Sequence, residues 1–354
     1  MKLGVFLMPQ QPRSDDPVRR FRECLEQARL ARDAGFDAVA AGHHYVSPPY
    51  QALQNLPLLA RLAGETGAMD LVLSIVLLAL LNPVQVAEDV ATLDIMSEGR
   101  VVFGIGLGYR EAEYEAFGVA RRDGVPRMLE ALELVRRLWT EDGVTHEGRF
   151  FRLHGATCTI RPVQKPFPPV WIAANADAAV ARAARLGYAW YANPHAPLAT
   201  IERQWRLYKE TLAGSGHALP PWRPIALECH VAPTREEAFD IARPFLAPKY
   251  AAYADWGQDK VLPGGESFRI GFEKLARDRF LLGTAEDVIE QLEARVTRLE
   301  SNYFILRVSW PGMEHAKVLQ VIERLAAGVL PHFHGKYGRS GRSTSIRIAS
   351  APGS

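Results

Sequence analysis

Gly35-Phe36-Asp37-Ala38-Val39-Ala40-Ala41-Gly42-His43-His44-Tyr45 is the stretch that indicates the fold, because a short apolar run ends there in two adjacent histidines. Successive side chains on a β-strand point to opposite faces, so His43 and His44 can share one site only beyond the end of the strand. A parallel β/α barrel places such residues in the loops at the carboxyl ends of its strands, where its active sites lie. The alternative interpretation is structural, with one imidazole in the core or at a helix cap and the other in solvent.

On both sides of this stretch, apolar runs of strand length alternate with longer segments whose apolar residues recur at helical spacing. This alternation is typical of a parallel sheet built from βα units. It predicts eight strands, at residues 3–8, 36–41, 71–78, 101–105, 170–173, 188–191, 225–231 and 303–308. The sequence therefore predicts an α/β fold, a single (β/α)8 TIM barrel with insertions over residues 1–334, with two smaller domains as the alternative.

Three segments depart from the alternation. Residues 144–162 are expected to form a hairpin insertion. Residues 257–279 are polar and rich in glycine, which suits either a mobile lid or a passive insertion. Residues 335–354 are rich in Gly, Ser and Arg without periodicity, so a disordered tail is expected there.

Composition excludes several classes of protein. A formal charge of +2, from 42 basic and 40 acidic residues, gives no field for nucleic acid or for an anionic membrane. The three cysteines, Cys24, Cys158 and Cys229, lack the spacing of a disulfide framework or a zinc site, which favours the reducing cytoplasm. The longest apolar runs are too short for a membrane span, and no His, Asp and Glu residues have the spacing of metal ligands.

Four segments indicate a family. In chain order they are Lys2 to Leu7 with Gln11-Pro12, Gly35 to Tyr45, Asn82 to Arg100 continuing through Phe103 to Tyr109, and Gln164 to Ala173. Together they resemble the bacterial luciferase-like monooxygenase family, flavin-dependent enzymes built on a β/α barrel. The resemblance covers residues 3–333, and the third segment is its most specific part.

The resemblance implies a flavin-dependent monooxygenase that uses reduced FMN and O2 to oxygenate a small organic substrate through a C4a-peroxyflavin. It implies that His43 is the catalytic residue near the reactive face of the flavin, acting in proton transfer, and that His44 supports it. An imidazole suits this role because its pKa of about 6.5 allows proton exchange near neutrality. Many family members have Glu before the pair, whereas this chain has Gly42.

The resemblance also implies a cradle for the cofactor. A cis peptide bond between Ser74 and Ile75 is expected beneath the flavin ring. The run Gly106-Leu107-Gly108-Tyr109-Arg110 would let a ring or a phosphate approach the backbone at its glycines, although tight turn geometry and close packing also explain them. The stretch Asn175-Ala176-Asp177 opens a predicted helix whose N-terminus can receive a phosphate.

Phosphate recognition departs from the pattern of bacterial luciferase. The arginine of that protein is replaced by Leu107, and its hydroxyl side chains are replaced by Ala176 and Ala179. Asp177 would cap the helix itself or repel a phosphate, and Arg110 is the candidate for the missing positive charge. These departures leave open weak FMN binding, a shifted phosphate position, or the deazaflavin F420 as the cofactor.

Trp190, Tyr191 and Asn193 are expected to wall a substrate pocket, although completion of the barrel core explains the aromatic residues equally well. The resemblance further implies a separate NAD(P)H-flavin reductase and a homodimer. Two alternatives remain for the function. One is an F420-dependent hydride-transfer oxidoreductase, and the other is a non-catalytic flavin-binding barrel protein, against which the presence of both His43 and His44 argues.

Overall fold

Strands and helices alternate along residues 1–338, which are the residues that the computed structural model describes. The strands are β1 (Lys2–Leu7), β2 (Gln10–Pro12), β3 (Ala38–Ala41), β4 (Tyr50–Ala52), β5 (Asp70–Leu77), β6 (Val101–Gly106), β7 (Val144–Glu147), β8 (Arg152–Ala156), β9 (Val170–Ala173), β10 (Ala189–Tyr191), β11 (Pro224–Val231), β12 (Leu281–Gly283) and β13 (Tyr303–Arg307). The α-helices are α1 (Pro17–Ala34), α2 (Asn55–Leu62), α3 (Pro83–Met96), α4 (Glu111–Ala116), α5 (Gly124–Thr140), α6 (Asp177–Arg185), α7 (Leu198–Gly214), α8 (Arg235–Asp255), α9 (Phe272–Ala276), α10 (Ala285–Leu299), α11 (His315–Gly328) and α12 (Leu330–Tyr337).

Nine strands form one curled parallel sheet, in the order β10-β9-β6-β5-β3-β1-β13-β11-β12. The end of β10 also meets β11 through an isolated parallel bridge between Ala192 and Ile225. At this bridge, the Ala192 N–H donates to the Pro224 carbonyl at 3.2 Å and the Ala226 N–H donates to the Ala192 carbonyl at 2.9 Å. The α/β class is confirmed, whereas the predicted eight-stranded closed barrel is not: the sheet is curled and has nine strands. The additional strand, β12, directly follows the polar residues 257–279, where the alternation of apolar segments is interrupted.

Both faces of this sheet are buried, as is usual for parallel sheets covered by helices. On β1, Val5 and Leu7 pack in the larger core between sheet and helices, whereas Phe6 lies in a smaller core inside the curl. Trp171 and Tyr303 belong to the inner core and pack against each other with ring centroids 4.8 Å apart. The inner core therefore fills the amino-terminal end of the curl and supports whatever lies above it.

Helix caps follow the sequence at two junctions. The Asn82 side chain accepts from the Val84 N–H at 2.9 Å, and Pro83 is the first residue of α3. At α10, Thr284 and Asp287 form a reciprocal capping box. Such caps satisfy backbone groups that the first turn of a helix leaves free, and each stabilises its helix by about 1 kcal/mol.

The segments that depart from the alternation are partly ordered. Within residues 144–162, β7 and β8 pair as an antiparallel hairpin. Residues 257–279 contain α9 and are tied down by Glu266, which accepts from Arg279 at 2.7 Å and from Thr200 at 2.8 Å. Whether this segment acts as a lid stays a prediction.

The start of the expected tail is helical, since α12 continues to Tyr337. Its last turns are anchored because His332, Lys336 and Tyr337 all bond to Glu293, an interaction between distant residues that local composition does not reveal. The rest of the expected tail, residues 339–354, lies outside the described residues. Within residues 1–338, no helix is long and apolar enough to cross a membrane.

Candidate active site

A cavity of about 260 Å³ lies at the carboxyl ends of the parallel strands. Twelve of the fifteen residues that the sequence predicted for the site line it. They are His43, His44, Ser74, Ile75, Gly106, Leu107, Gly108, Tyr109, Asn175, Ala176, Tyr191 and Asn193. The structure therefore brings these residues together in one place, while their individual roles stay predictions.

Three predicted residues do not line the cavity. Trp190 points outward on β10, where its indole N–H donates to the Ala174 carbonyl at 2.9 Å. Arg110 is buried and donates to the carbonyls of Tyr45 and Val46 at 2.8 and 3.0 Å. Asp177 is bound by residues of α7 and is described below. The alternation of side chains along β10 separates Trp190 from Tyr191, and a fold of the following loop turns Arg110 away from the cavity.

His43 is a buried imidazole at the cavity, with 5% of its surface exposed. The Leu77 N–H lies 3.5 Å from its Nδ1, a long hydrogen bond that favours the tautomer with the proton on Nε2. Burial, followed by the charge of His44, lowers the pKa of His43 to about 4, although Glu113 opposes the shift. His43 is therefore neutral near pH 7.

His44 has an acidic partner that the sequence did not predict. Its Nδ1 donates to Oε1 of Glu113 at 3.0 Å, and the Tyr45 N–H donates to the same oxygen at 3.0 Å. Burial alone would raise the pKa of Glu113, but the hydrogen bond and charge of His44, the Tyr45 N–H and Arg110 lower it. The carboxylate beside the histidine pair thus comes from α4, 69 residues away, and bonds to His44.

Gly42 has a steric reason to lack the side chain that many family members have. A Cβ at this position would lie 3.0 Å from Cζ of Phe6, which is tighter than ordinary van der Waals contact. The inner core beneath the histidine pair therefore favours glycine there.

The expected cradle is present on β5 and β6. The Ser74-Ile75 peptide bond is cis, and the Ser74 hydroxyl shares a hydrogen bond of 2.9 Å with the Tyr191 hydroxyl. A Cβ on Gly106 would lie 2.4 Å from Cδ1 of Ile75, so any larger residue there would displace the end of the Ile75 side chain at the cavity. Gly108 has φ of +76° and lines the cavity, which fits the approach of a ligand to the backbone.

The N-terminus of α6 faces the same cavity, because Asn175, Ala176 and Ala179 line it. Asp177 does not cap this helix. Its two carboxylate oxygens accept from Arg203 at 2.8 Å each, and Arg203 lowers the pKa of Asp177. The negative charge is thereby neutralised, and the uncapped N–H groups of the first turn remain suited to an anion.

Arg121 supplies the positive charge at the cavity that the sequence assigned to Arg110. One Nη of Arg121 donates to the Gly108 carbonyl at 2.8 Å, and its guanidinium lies 4.7 Å from the ring centroid of Tyr114. A flat glycine-lined wall, an arginine and a helix N-terminus are the groups that a flavin mononucleotide requires, so these residues fit FMN. Within residues 1–338, no group of His, Cys, Asp and Glu is arranged to hold a metal ion.

Sequence reasoning missed several other residues at the cavity, above all Arg307 and Tyr253. Arg307 is the last residue of β13 and shares a face with Tyr303 and Ile305, so the period of two along that strand was an available signal. Tyr253 lies near the end of α8, and nothing in its local sequence indicates that this helix reaches the cavity.

A curled parallel sheet with a cavity at the carboxyl strand ends, a neutral imidazole and an uncapped helix N-terminus define an α/β protein with a small-molecule binding site. The family implied by the four segments is confirmed. The chain belongs to the luciferase-like monooxygenase family, whose sequence model matches residues 1–300.

Two relatives extend over nearly the whole chain. The 4-hydroxyprotoasukamycin monooxygenase of Streptomyces nodosus subsp. asukaensis is 25% identical over 348 residues, 95% of this chain and 93% of the relative. The oxygenase component of a flavin-dependent trigonelline monooxygenase from Acinetobacter baylyi is 24% identical over 351 residues, 94% of this chain and 96% of the relative.

Solved structures share the fold. The monooxygenase RslO1 of Streptomyces bottropensis has a TM-score of 0.80 at 25% identity, covering 94% of this chain and 100% of that one. The oxygenating constituent of 3,6-diketocamphane monooxygenase from Pseudomonas putida, in complex with FMN, has a TM-score of 0.79 at 18% identity, covering 94% and 98%. An F420-dependent secondary alcohol dehydrogenase has a TM-score of 0.73 at 20% identity, covering 93% and 98%. Similar structures therefore include users of FMN and of F420.

Proposed function

We propose that the protein is the oxygenase component of a two-component flavin monooxygenase, which oxygenates a small organic substrate with reduced FMN and O2. The observation that supports this most strongly is the position of neutral His43 in the same cavity as the Ser74-Ile75 and Gly108 cradle. The trigonelline and diketocamphane enzymes, which are an oxygenase component and an oxygenating constituent, agree with it. A separate NAD(P)H-flavin reductase and a homodimer belong to the same proposal.

Under this proposal, different residues of the chain bind the cofactor and exchange the proton. Arg121 and the N-terminus of α6 would hold the phosphate of FMN, and Gly106, Gly108 and Ile75 would bracket its ring. Reduced FMN, when bound, supplies the electrons with which O2 is activated. His43 holds a proton at Nε2 for exchange at the reacting oxygen, because Leu77 engages its Nδ1.

Water exclusion is the second contribution of the chain. Ile75, Leu77 and Leu107 line the cavity with hydrocarbon, which keeps solvent away from reactive species.

We further propose that the Ala192 and Ile225 bridge closes the first eight strands of the sheet order into a barrel, leaving β12 outside it.

Hydride transfer with F420 is the second candidate function, and the replacement of the phosphate-binding side chains at Leu107, Ala176 and Ala179 favours it. In that case O2 would not be consumed, and His43 would exchange a proton with an alcohol, aldehyde or imine. The F420-dependent alcohol dehydrogenase of similar fold agrees with this candidate.

The deciding experiment titrates the purified protein anaerobically with photoreduced FMN, admits O2 and follows the absorbance of the flavin during reoxidation. Bound flavin is expected to reoxidise with a time course that differs from that of free FMN and that changes in His43→Gln. His230→Gln is the matched control, because His230 is also buried and its pKa is also lowered to about 4 by burial and Arg324, yet it does not line the cavity. Absence of FMN binding together with binding of F420 would reverse the choice between the two functions.

A further inference from the structure

We propose that the wall of the cavity around Arg307 is a subsite for an organic carboxylate, so that the substrate is an acid whose anionic oxygens contact this guanidinium. Calling that ligand the substrate rests on the proposed function, whereas the anion subsite itself does not.

The first argument is a charge count in the buried cluster at Arg307. Glu228 is fully buried and lies between two cations, Lys249 and Arg307. The Lys249 ammonium is 2.7 Å from Oε1 of Glu228, whereas the nearest Arg307 nitrogen is 3.8 Å from that oxygen. One carboxylate therefore faces two positive charges, and the cluster has a net positive charge.

The second argument is that both oxygens of Glu228 are already occupied. Oε1 accepts from Lys249 at 2.7 Å and lies 3.4 Å from the Tyr250 hydroxyl, and Oε2 accepts from the indole of Trp310 at 2.7 Å. Arg307 is left without a short contact to an anion. Arg279 donates to the His195 carbonyl at 3.0 Å and has its own anionic partner in Glu266 at 2.7 Å.

The third argument is the direction of Arg307. Its alternation with Tyr303 and Ile305 places it on the inner face of β13, at the end that lines the cavity. Its guanidinium carbon lies 4.7 Å from the ring centroid of Phe6, and its buried Nε has no hydrogen-bond partner within residues 1–338. The largely buried guanidinium has its nearest carboxylate 3.8 Å away and is therefore incompletely paired, and a planar carboxylate matches its two parallel N–H donors.

The surroundings favour an organic anion over an inorganic one. Phe6, Ile75 and Leu77 give the cavity an apolar wall, whereas His195 and Tyr253 add polar atoms close to the arginine. Nδ1 of His195 is buried and lacks a partner in the described part of the chain. Burial, followed by Arg307, holds the pKa of His195 well below its usual range, so it adds no competing charge. The site combines an anion contact with hydrocarbon contacts.

The test uses the full-length protein without flavin and a panel of matched ligands: benzoate and benzamide, cyclohexanecarboxylate and its amide, 2-naphthoate and 2-naphthamide. Calorimetric titration is expected to give at least one carboxylate that binds about tenfold or more tightly than its amide. The preference should fall to about one in Arg307→Met and return in part in Arg307→Lys. If no pair shows the preference in the wild type, or if it survives in Arg307→Met, the proposal is wrong.

FMN titration of the same variants separates this proposal from the proposed function. Arg307→Met should keep FMN affinity, which also shows that it is folded, whereas Arg121→Met should bind FMN about 10- to 100-fold more weakly and keep the carboxylate preference. Loss of both ligands in Arg307→Met with an unchanged circular dichroism spectrum would assign the anion contact to the cofactor's phosphate and overturn a substrate subsite. Retained carboxylate preference without FMN binding in the wild type would leave the subsite standing and contradict the monooxygenase proposal.

Discussion

The two ends of the curled sheet differ in whether their buried polar groups have hydrogen-bond partners. At the amino end, Asp70 accepts from Lys2 at 2.5 Å and from the Tyr303 hydroxyl at 2.7 Å, and Lys2 lies 5.0 Å from the ring centroid of Trp222. At the carboxyl end, buried atoms of Glu113, His195 and Arg307 lack hydrogen-bond partners within the described residues. The amino end is complete without a ligand, whereas the carboxyl end has the unsatisfied donors and acceptors of a binding site.

The largest expected effect tests the amino end alone. Trp171→Ala removes a fully buried ring that packs on Tyr303, so the free energy of unfolding should fall by about 3–5 kcal/mol. Because Trp171 does not line the cavity, FMN affinity of the folded protein should not change. Urea denaturation and FMN titration measure the two quantities. A marked loss of FMN affinity in the folded protein would mean that the two ends are not separable.

The next effect concerns pH and the carboxyl end. The pKa of His43 is about 4 in the folded state and about 6.5 when unfolded, so the unfolded state binds the proton first as pH falls. The contribution of neutral His43 to the free energy of unfolding is therefore complete above about pH 6.5 and is lost as the pH falls toward about 4. The loss amounts to as much as about 3 kcal/mol.

Urea denaturation from about pH 7 to about pH 4.5 measures this loss. His43→Gln should flatten the pH dependence, and His230→Gln should flatten it by a similar amount because its pKa is also about 4. Unchanged pH dependence in both variants would show that the burial of these imidazoles does not control acid stability.

A smaller effect should separate binding from stability. Arg121→Met removes the arginine at the cavity and should weaken FMN binding by about 10- to 100-fold, the range for loss of a charge-assisted hydrogen bond. Fluorescence titration with FMN measures it. Arg136→Met is the control, because Arg136 lies over the Phe167 ring at 5.3 Å and is not at the cavity. Equal losses in both variants would remove Arg121 from the phosphate site.

The smallest effect tests the neutralisation of Asp177. Arg203→Met would leave the Asp177 carboxylate at the N-terminus of α6 without a cation, although Gln204 still donates to it, and its repulsion should weaken FMN binding by about two- to fivefold. The double variant with Asp177→Asn should restore the affinity. Failure of the second substitution to restore binding would mean that Arg203 acts in another way.

Local sequence patterns identified most of the fold. The period of apolar residues located eight strands, and the His43 and His44 pair indicated which strand ends matter. The period did not reveal β12, which directly follows the polar residues 257–279 that interrupt the alternation. Residues 335–337 were expected to be disordered from their local composition. They are ordered because Lys336 and Tyr337 bond to Glu293 of α10, which is remote in sequence.

The site was predictable where neighbouring residues share a strand end and unpredictable where distant elements meet. Ser74 lies within β5, Gly106 is the last residue of β6 and Asn175 lies two residues after β9, and all three line the cavity. Glu113 and Arg121 come from helices and turns whose orientation is set by tertiary packing. Arg110 is basic and adjacent to the glycine run, yet the carbonyls of the loop after His44 hold it elsewhere.

The bridge between Ala192 and Ile225 makes the contact between the ends of β10 and β11 the weakest strand pairing of the sheet. Two backbone hydrogen bonds hold it, whereas neighbouring strands of the sheet pair over three or more residues. Thermal fluctuation should therefore open this bridge before the other strand pairs of the sheet. The bridge lies beside Tyr191 and Asn193, which line the cavity. Opening of this bridge should therefore cost less free energy than opening of any other strand pair of the sheet, and it would widen the cavity for a large ligand. Hydrogen–deuterium exchange at the Ala192 and Ala226 amides measures how often it opens.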